Sequence, residues 1–513
     1  MMHRLYVTAM LWAMGVLSVL AQVEVRTEAQ LTTSSGDHTP LWLNANKYGL
    51  SSLEQTNGYV RVGAFQQVEA DTTRRWSYGF GADVALTDGF TSRFVVQQAY
   101  ADVRWGKGLL TVGSKEQPLE LKNQRLSSGS QTLGINARPV PQVRFSLPDY
   151  WQVPGLGGWL GVKGHLAYGM MTDDNWQKDF THDMTRRTEK TLVHTKAGYA
   201  KIGPGSINFE LGIEMACQFG GKTFNYWAEI GQMVTIKSQS NFSAFYHAFI
   251  PGGTDPTDGS FINTEGNHLG SWVMRLNIDQ PKWNLGLYAD QFFEDHSQMF
   301  HVNYNGYGTG NEKQVRKESR YFVYDFKDWM LGAELKLKEL PWMEHVVVEY
   351  LYTKYQGGPT YHDHTASISE QVTGRDNYYN HNIFTGWQHW GQVMGNPLFL
   401  SPLYNSSAQV RIENNRFVAW HLGIDGHPLP SLAYRILATW QRGFGTYQKP
   451  YVNPKENVSL LAEAEYSFPS QSPLKGWSVK GAFALDAGEL YGDNTGFQLT
   501  LAHKGWVNIK KKK

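Results

Sequence analysis

Two short clusters combine histidine with carboxylates and are the first candidates for chemistry. His362-Asp363-His364 could chelate a metal or orient a base, and Glu294-Asp295-His296 places two carboxylates beside a histidine. Two histidines two residues apart rarely make a metal site without further ligands. Glycosidases need two carboxylates about 5–10 Å apart across a sugar, and neighbouring positions in a sequence do not establish that separation. We therefore interpret both clusters as polar loop residues.

Motifs with a defined catalytic geometry are missing from the sequence. It contains no Gly-x-Ser-x-Gly, no His-Glu-x-x-His and no glycine-rich phosphate loop. Cys217 is the only cysteine, which excludes an intramolecular disulfide and a cysteine-based metal cluster. The 47 basic and 46 acidic residues nearly cancel and give no broad field for nucleic acid. The sequence thus predicts a protein without catalytic residues, cofactor, metal site or nucleic-acid partner.

One long polar segment, residues 356–415, has a composition suited to sugars. Flat aromatic rings fit the C–H face of a sugar, and Asn, Asp, Gln and Arg side chains fit its hydroxyl groups. The alternative is that the segment folds on its own aromatics, and the two interpretations are compatible because a packed loop also presents a rigid platform. The predicted glycan-binding residues are Asp376, Asn377, Tyr378, Tyr379, Trp387, His389, Trp390 and Asn396.

The elements that must position these residues alternate apolar and polar residues with period two. Ile207, Phe209, Leu211 and Ile213 form an apolar face, while the residues between them, such as Glu210 and Gly212, form a polar one. This period is typical of a β-strand with one polar and one apolar side. Aromatics make up 14% of the chain and charged residues only 18%, which favours strands and interfacial aromatic belts over helices.

The connections between these segments alternate between short and long, as in an outer-membrane β-barrel with short periplasmic turns and long extracellular loops. A soluble β-sandwich would show shorter strands and more frequent turns. The pattern predicts an all-β, antiparallel transmembrane barrel of about 18 strands. They are expected near 23–33, 58–70, 76–86, 93–105, 108–114, 131–147, 158–171, 191–202, 207–219, 270–279, 283–293, 330–339, 345–355, 416–425, 433–442, 457–467, 477–486 and 496–505.

Two of these strands fit the pattern least well. The segment 108–114 is short, and 131–147 contains Pro139 and Pro141, although proline belongs at edges or bulges of a sheet. The polar faces carry charges of both signs, which predicts a hydrated lumen whose charges pair across strands. The residues expected to face inward are Lys163, His165, Glu210, Glu214, Arg275, Asp279, Asp290, Glu334, Lys336, Glu349, Asp425, Arg435, Glu463, Glu465 and Lys480.

The first residues have the three parts of a secretory signal peptide. A basic start at His3-Arg4 precedes the apolar run 5–20, and a small residue, Ala21, stands before Gln22. At about 16 apolar residues this run is short for a membrane span of roughly 20. We therefore expect residues 1–21 to be a signal peptide and residues 22–513 to form a single barrel domain, inserted in outer-membrane lipid by the barrel-assembly machinery.

Several segments, in this order, resemble the Wzi-type capsule-assembly family of outer-membrane proteins in the form found in Bacteroidetes. The segments are Leu126-Ser127-Ser128-Gly129, residues 136–141, Leu166-Ala167-Tyr168-Gly169 with Asp173 and Trp176, residues 268–272, residues 293–297, residues 376–380, Gly386-Trp387 and Gly395-Asn396-Pro397-Leu398. The resemblance implies an 18-stranded barrel that acts as a lectin and retains capsular polysaccharide or exopolysaccharide at the cell surface. The alternative function is a passive or substrate-selective outer-membrane channel.

Overall fold

The computed structural model describes residues 22–68, 75–227, 231–252, 265–294, 305–307, 316–318, 328–356, 360–362, 371–373 and 376–508. The expected signal peptide, residues 1–21, lies outside these ranges. So do Asp363 and His364 of one histidine cluster, and Asp295 and His296 of the other.

Eighteen strands build the main sheet, and their alternation of apolar and polar residues follows the two sides of that sheet. We number them β1 to β18 in chain order: Gln22–Ser35, Thr56–Gln66, Trp76–Asp88, Phe94–Trp105, Gly108–Ser114, Gln142–Gln152, Leu160–Met170, Leu192–Ile202, Ile207–Phe219, Asn267–Asp279, Trp283–Glu294, Trp329–Leu337, His345–Tyr352, Phe417–Leu429, Leu432–Gly445, Pro450–Ser467, Trp477–Gly488 and Asn494–Asn508.

The sheet closes on itself. Each strand pairs antiparallel with its neighbours in the chain, and β18 pairs with β1 from Asn508 opposite Gln22 to Thr495 opposite Ser35. Closure satisfies the hydrogen-bonding groups of both edge strands, which a chain in hydrocarbon requires. The predicted 18-stranded antiparallel barrel is confirmed.

The outward face is apolar, as a lipid-facing surface must be. Leu31 lies opposite Leu499 in the register of β1 and β18, and both are 59% exposed. At the short-turn end of β3 and β4, Trp76 and Trp105 stack with ring centroids 5.9 Å apart, and both are exposed. Exposed leucines within the strands and tryptophans at the strand ends match the apolar band and aromatic girdle of an outer-membrane barrel.

Smaller elements occupy the connections at the long-loop end of the barrel. The helices are Leu41–Asn44, Trp176–Thr181 and Phe242–Phe249, with a 3₁₀ turn at Pro402–Tyr404. A three-stranded sheet joins Arg187–Glu189, Lys222–Trp227 and Gln232–Lys237, and two-stranded pairs join Asn305–Tyr307 with Arg316–Glu318, Thr360–His362 with Gln371–Thr373, and Gln388–His389 with Gln392–Val393. Within the described residues, none of the helices combines the length and apolar composition needed to cross a membrane.

The core of the molecule lies inside the barrel and is built by three long loops. We call these segments, residues 36–55, 115–141 and 376–416, the plug. Leu41, Leu126, Trp387 and Phe399 are at most 1% exposed and belong to one apolar cluster with inward residues of the barrel wall such as Val347. The lumen is therefore filled by packed side chains over the height of this cluster.

One predicted strand was wrong over residues 131–141. Residues 131–147 were expected to form a strand, but β6 runs from Gln142 to Gln152, and residues 131–141 belong to the plug. Pro139 and Pro141 have no N–H to donate to a ladder, and they end the plug segment just before β6 begins. The strand predicted at 108–114 has those bounds in the structure.

Candidate functional site

The plug is held to the barrel wall by a buried carboxylate of β13. Glu349 accepts hydrogen bonds from Ser127 Oγ at 2.6 Å, from the Ser128 backbone N–H at 2.8 Å and from Tyr288 OH at 2.6 Å. Three donors compensate the cost of burying the carboxylate. The Leu126-Ser127-Ser128-Gly129 segment thus anchors the plug.

A buried ion pair adds a second anchor. Lys122 Nζ lies 2.7 Å from Asp290 Oδ2 of β11, and both side chains are fully buried. Pairing across strands, as predicted for the lumen charges, is confirmed for Arg275 with Glu334 at 2.8 Å and for Arg435 with Glu463 at 3.1 Å. The sequence did not reveal that other wall charges pair with the plug.

Three aromatic residues predicted to bind glycan lie in the plug interior. Tyr378 and Tyr379 are 0% exposed and Trp387 is 1% exposed. Tyr378 OH donates to Asp328 Oδ2 at 2.8 Å, and Trp387 Nε1 donates to the Thr132 carbonyl at 2.9 Å. With almost no surface open to solvent, these rings offer no face to an extracellular polymer and instead hold other residues in place.

Asn396 and His389 are also buried and have their polar atoms engaged. Asn396 Nδ2 donates to Ser128 Oγ and to the Gly129 carbonyl, both at 3.1 Å. His389 Nδ1 lies 2.8 Å from the Arg138 carbonyl, and its Nε2 accepts the Thr172 backbone N–H at 3.1 Å. Burial lowers the pKa of His389 to about 4, so the ring is neutral, with the proton on Nδ1, at neutral pH.

The other three predicted residues keep part of their surface exposed at the long-loop end. They are Asp376, Asn377 and Trp390. Asn377 Oδ1 accepts hydrogen bonds from Asn380 at 3.0 Å and from Asn415 at 2.6 Å. The Arg138 guanidinium lies 4.3 Å from the centroid of the Trp390 ring, a cation–π contact that fixes the indole.

Trp390 borders a small polar crevice between the plug and the loop 171–191. The crevice also includes Thr172, Asp173, Gln177, Thr188, Lys190, Thr191 and His389. Its free volume of about 10 Å³ accommodates about one water molecule, so a sugar would lie across the mouth of the crevice. Burial raises the pKa of Asp173.

The backbone around this crevice is unusual. Trp390 and Lys190 both have φ of 55°, a left-handed conformation that non-glycine residues rarely adopt. Gly391 has φ of 78°, and a Cβ at this position would lie 2.6 Å from the ring of Trp176. Strain of this kind persists only where the surrounding packing enforces it, and it concentrates at functional sites.

Sequence reasoning found Trp390 but missed most of its partners. Thr172, Gln177 and Lys190 come from a loop 200 or more positions away, and nothing in their local pattern marks them. Asp173 did stand among the segments that carried the family resemblance. Within the described residues, no group of three or more His, Cys, Asp or Glu side chains is arranged to hold a metal ion.

Comparison with solved structures gave several matches, and the first described here shows the same fold. The carbohydrate-binding barrel Wzi of Escherichia coli, an outer-membrane protein involved in group 1 capsule assembly, superposes with a TM-score of 0.52 at 12% identity, over 94% of this chain and 85% of that one. OprD of Pseudomonas aeruginosa gives a TM-score of 0.45 at 10% identity, over 95% of each chain. OccK5 (OpdH) of the same species gives 0.47 at 8% identity, over 95% of this chain and 98% of that one. Comparison with curated protein sequences gave no significant match.

The closed barrel, its apolar exterior and its plug define an outer-membrane β-barrel protein. The family model described as capsule assembly protein Wzi matches residues 26–315, more than half of the 513 residues. The chain belongs to this family of capsule-assembly proteins.

Proposed function

We propose that this protein binds capsular polysaccharide or exopolysaccharide at its long-loop end and retains it at the cell surface. The observation that carries the proposal is the packed plug, because it turns three loops into a rigid surface and fills the lumen with buried side chains. A rigid surface loses little entropy on binding. The carbohydrate binding stated for the Escherichia coli barrel supports the same role, which requires binding and no catalysis.

Within that surface we assign glycan contact to Trp390 and Asp173, with Asp376 and Asn377 as further contacts on the exposed part of the plug. An indole fixed by Arg138 offers a preformed apolar contact, and Asp173 offers a carboxylate for sugar hydroxyls. Tyr378, Tyr379, Trp387, His389 and Asn396 have a positioning role in this proposal, because the plug buries them. Weak sites on many copies of the protein would together retain a long polymer through avidity.

The test is binding of the purified, detergent-solubilised protein to the surface polysaccharide of its own cells. Trp390→Ala should weaken binding by more than about 1 kcal/mol, since anchoring aromatics usually cost at least this when truncated. Trp227→Ala is the matched control, because Trp227 is 46% exposed and lies in the separate three-stranded sheet. Both variants should keep the wild-type difference in gel migration between unheated and boiled samples.

Other outcomes would redirect the proposal. A loss of binding in Trp227→Ala alone would move the site to the three-stranded sheet. Folded Trp390→Ala that binds as well as the wild type would remove Trp390 from the site. Steady single-channel conductance of the wild-type protein, without polysaccharide binding, would favour the alternative function of a channel.

A further inference from the structure

A second cavity lies inside the barrel, and Arg138 on its lining contacts His389 and Trp390 of the crevice. It has a volume of about 120 Å³ and lies between the plug segment 115–141 and the inward faces of β6 to β9. Its lining includes Arg138, Arg144, His165, Tyr199, Glu214 and Trp387. A cavity of similar size in another protein accommodates benzene, so this one has room for a small polyatomic group.

The cavity contains polar groups that no direct contact satisfies, and one of them is the cationic Arg144. Among the described residues, the Arg144 guanidinium has no hydrogen-bond or ion-pair partner, although Glu120 and Glu214 act on it through space. His165 Nε2 is buried and also has no hydrogen-bond partner there. An unpaired charge away from bulk water is costly, and an arginine fork is well shaped to hold a carboxylate or phosphate.

The carboxylates in the cavity wall are already engaged elsewhere. Glu214 accepts hydrogen bonds from Ser130 Oγ at 3.0 Å and from Tyr199 OH at 2.8 Å. Glu120 pairs with Lys163 at 2.5 Å. Neither carboxylate lies within ion-pair distance of Arg144, so the cationic end of the cavity is available to an external anion.

The most exposed part of the cavity lining indicates the side from which such an anion would arrive. Pro118, on the cavity lining, is exposed to solvent. The neighbouring Glu120 pairs with Lys163, which lies three residues from the short-turn end of β7. In the orientation of an outer-membrane barrel, that end faces the periplasm.

We propose that this cavity binds a small anion, the carboxylate or phosphate group of a solute entering from the periplasmic mouth, with Arg144 and His165 as its direct contacts. The contacts of this site, Arg144 and His165, differ from those of the glycan surface proposed above, although Arg138 borders both. The two proposals are tested separately, by titration with small solutes for this cavity and by polysaccharide binding for the glycan surface.

Calorimetric titration of the full, detergent-solubilised chain with three probes tests this proposal: inorganic phosphate, glucuronate and uncharged glucose. We expect binding of phosphate, glucuronate or both, and none of glucose. Arg144→Gln should weaken that binding at least about tenfold, as loss of a charge-assisted contact generally does. Lys336→Gln is the matched control, because it removes an equal charge from an exposed residue on the polar face of β12, outside the cavity.

The two anionic probes distinguish the sources of the ligand. Binding of glucuronate alone would indicate an acidic sugar, and binding of phosphate alone would indicate a phosphorylated solute. If Arg144→Gln does not fold, His165→Gln should still weaken binding of the same anion. Failure of the wild type to bind either anion would overturn the proposal. So would equal weakening in Arg144→Gln and Lys336→Gln, because that would reflect only the general charge of the lumen.

Discussion

At the scale of single residues, His389 links the plug to the loop that carries Asp173. Its Nε2 must stay unprotonated to accept the Thr172 N–H, and burial keeps its pKa at about 4. An unfolded histidine titrates near 6.5, so between these values the unfolded state binds more protons than the folded state. The contribution of neutral His389 to the free energy of unfolding is therefore complete above pH 6.5 and is lost as the pH falls toward 4. The loss amounts to about 3 kcal/mol.

We predict that acidification from pH 7 to pH 4 loosens the contact between the plug and the loop 171–191. The protection factor of the Thr172 amide, which is its intrinsic exchange rate at each pH divided by the rate measured in the folded protein, should fall over that range. His389→Gln is the control, since an amide side chain can donate to the Arg138 carbonyl and accept the Thr172 N–H without titrating. If the variant shows the same pH dependence as the wild type, His389 is not the group responsible.

At the scale of elements, the barrel strands expose one face to lipid and the other to the lumen. Leu211 of β9 points outward and is 37% exposed, and it lies opposite Ala200 and Met274 of the adjacent strands. We predict that Leu211→Arg lowers the free energy of unfolding by about 2–4 kcal/mol if the residue lies at mid-bilayer. Leu211→Ala serves as the control for loss of the side chain, and the difference between the two variants measures the cost of the charge in lipid.

Equal destabilisation of those two variants in lipid vesicles would mean that Leu211 does not face hydrocarbon. The inward neighbour Gly212 is unsuitable for the comparison. A Cβ there would lie 2.4 Å from the Tyr199 ring, so any side chain would disturb the packed lumen.

The strands were predictable from sequence because the side chains of each strand alternate between apolar residues that face lipid and polar residues that face the lumen. The plug was not. Residues 131–141 alternate enough to resemble a strand, and only the prolines at 139 and 141 argued against it. Tyr378, Tyr379 and Trp387 were recognised as a notable aromatic group, but composition alone cannot separate rings that bind a ligand from rings that fill a lumen. That distinction depends on contacts with Thr132 and Asp328, far away in the sequence.

At the scale of the whole molecule, an outer-membrane barrel of the capsule-assembly family fills its own lumen with extracellular loops. The buried anchors at Glu349 and Lys122 fix the plug segment 115–141 to the wall, and the exposed surface at the long-loop end faces away from the cell. The central claim is that this surface retains polysaccharide.

The most direct measurement of this claim is the partition of surface polysaccharide between cells and medium after deletion of the gene. We predict that polysaccharide moves into the medium while its total amount is unchanged, and that the wild-type gene restores retention whereas the Trp390→Ala gene restores it only in part. Full retention by cells lacking the protein would contradict the account.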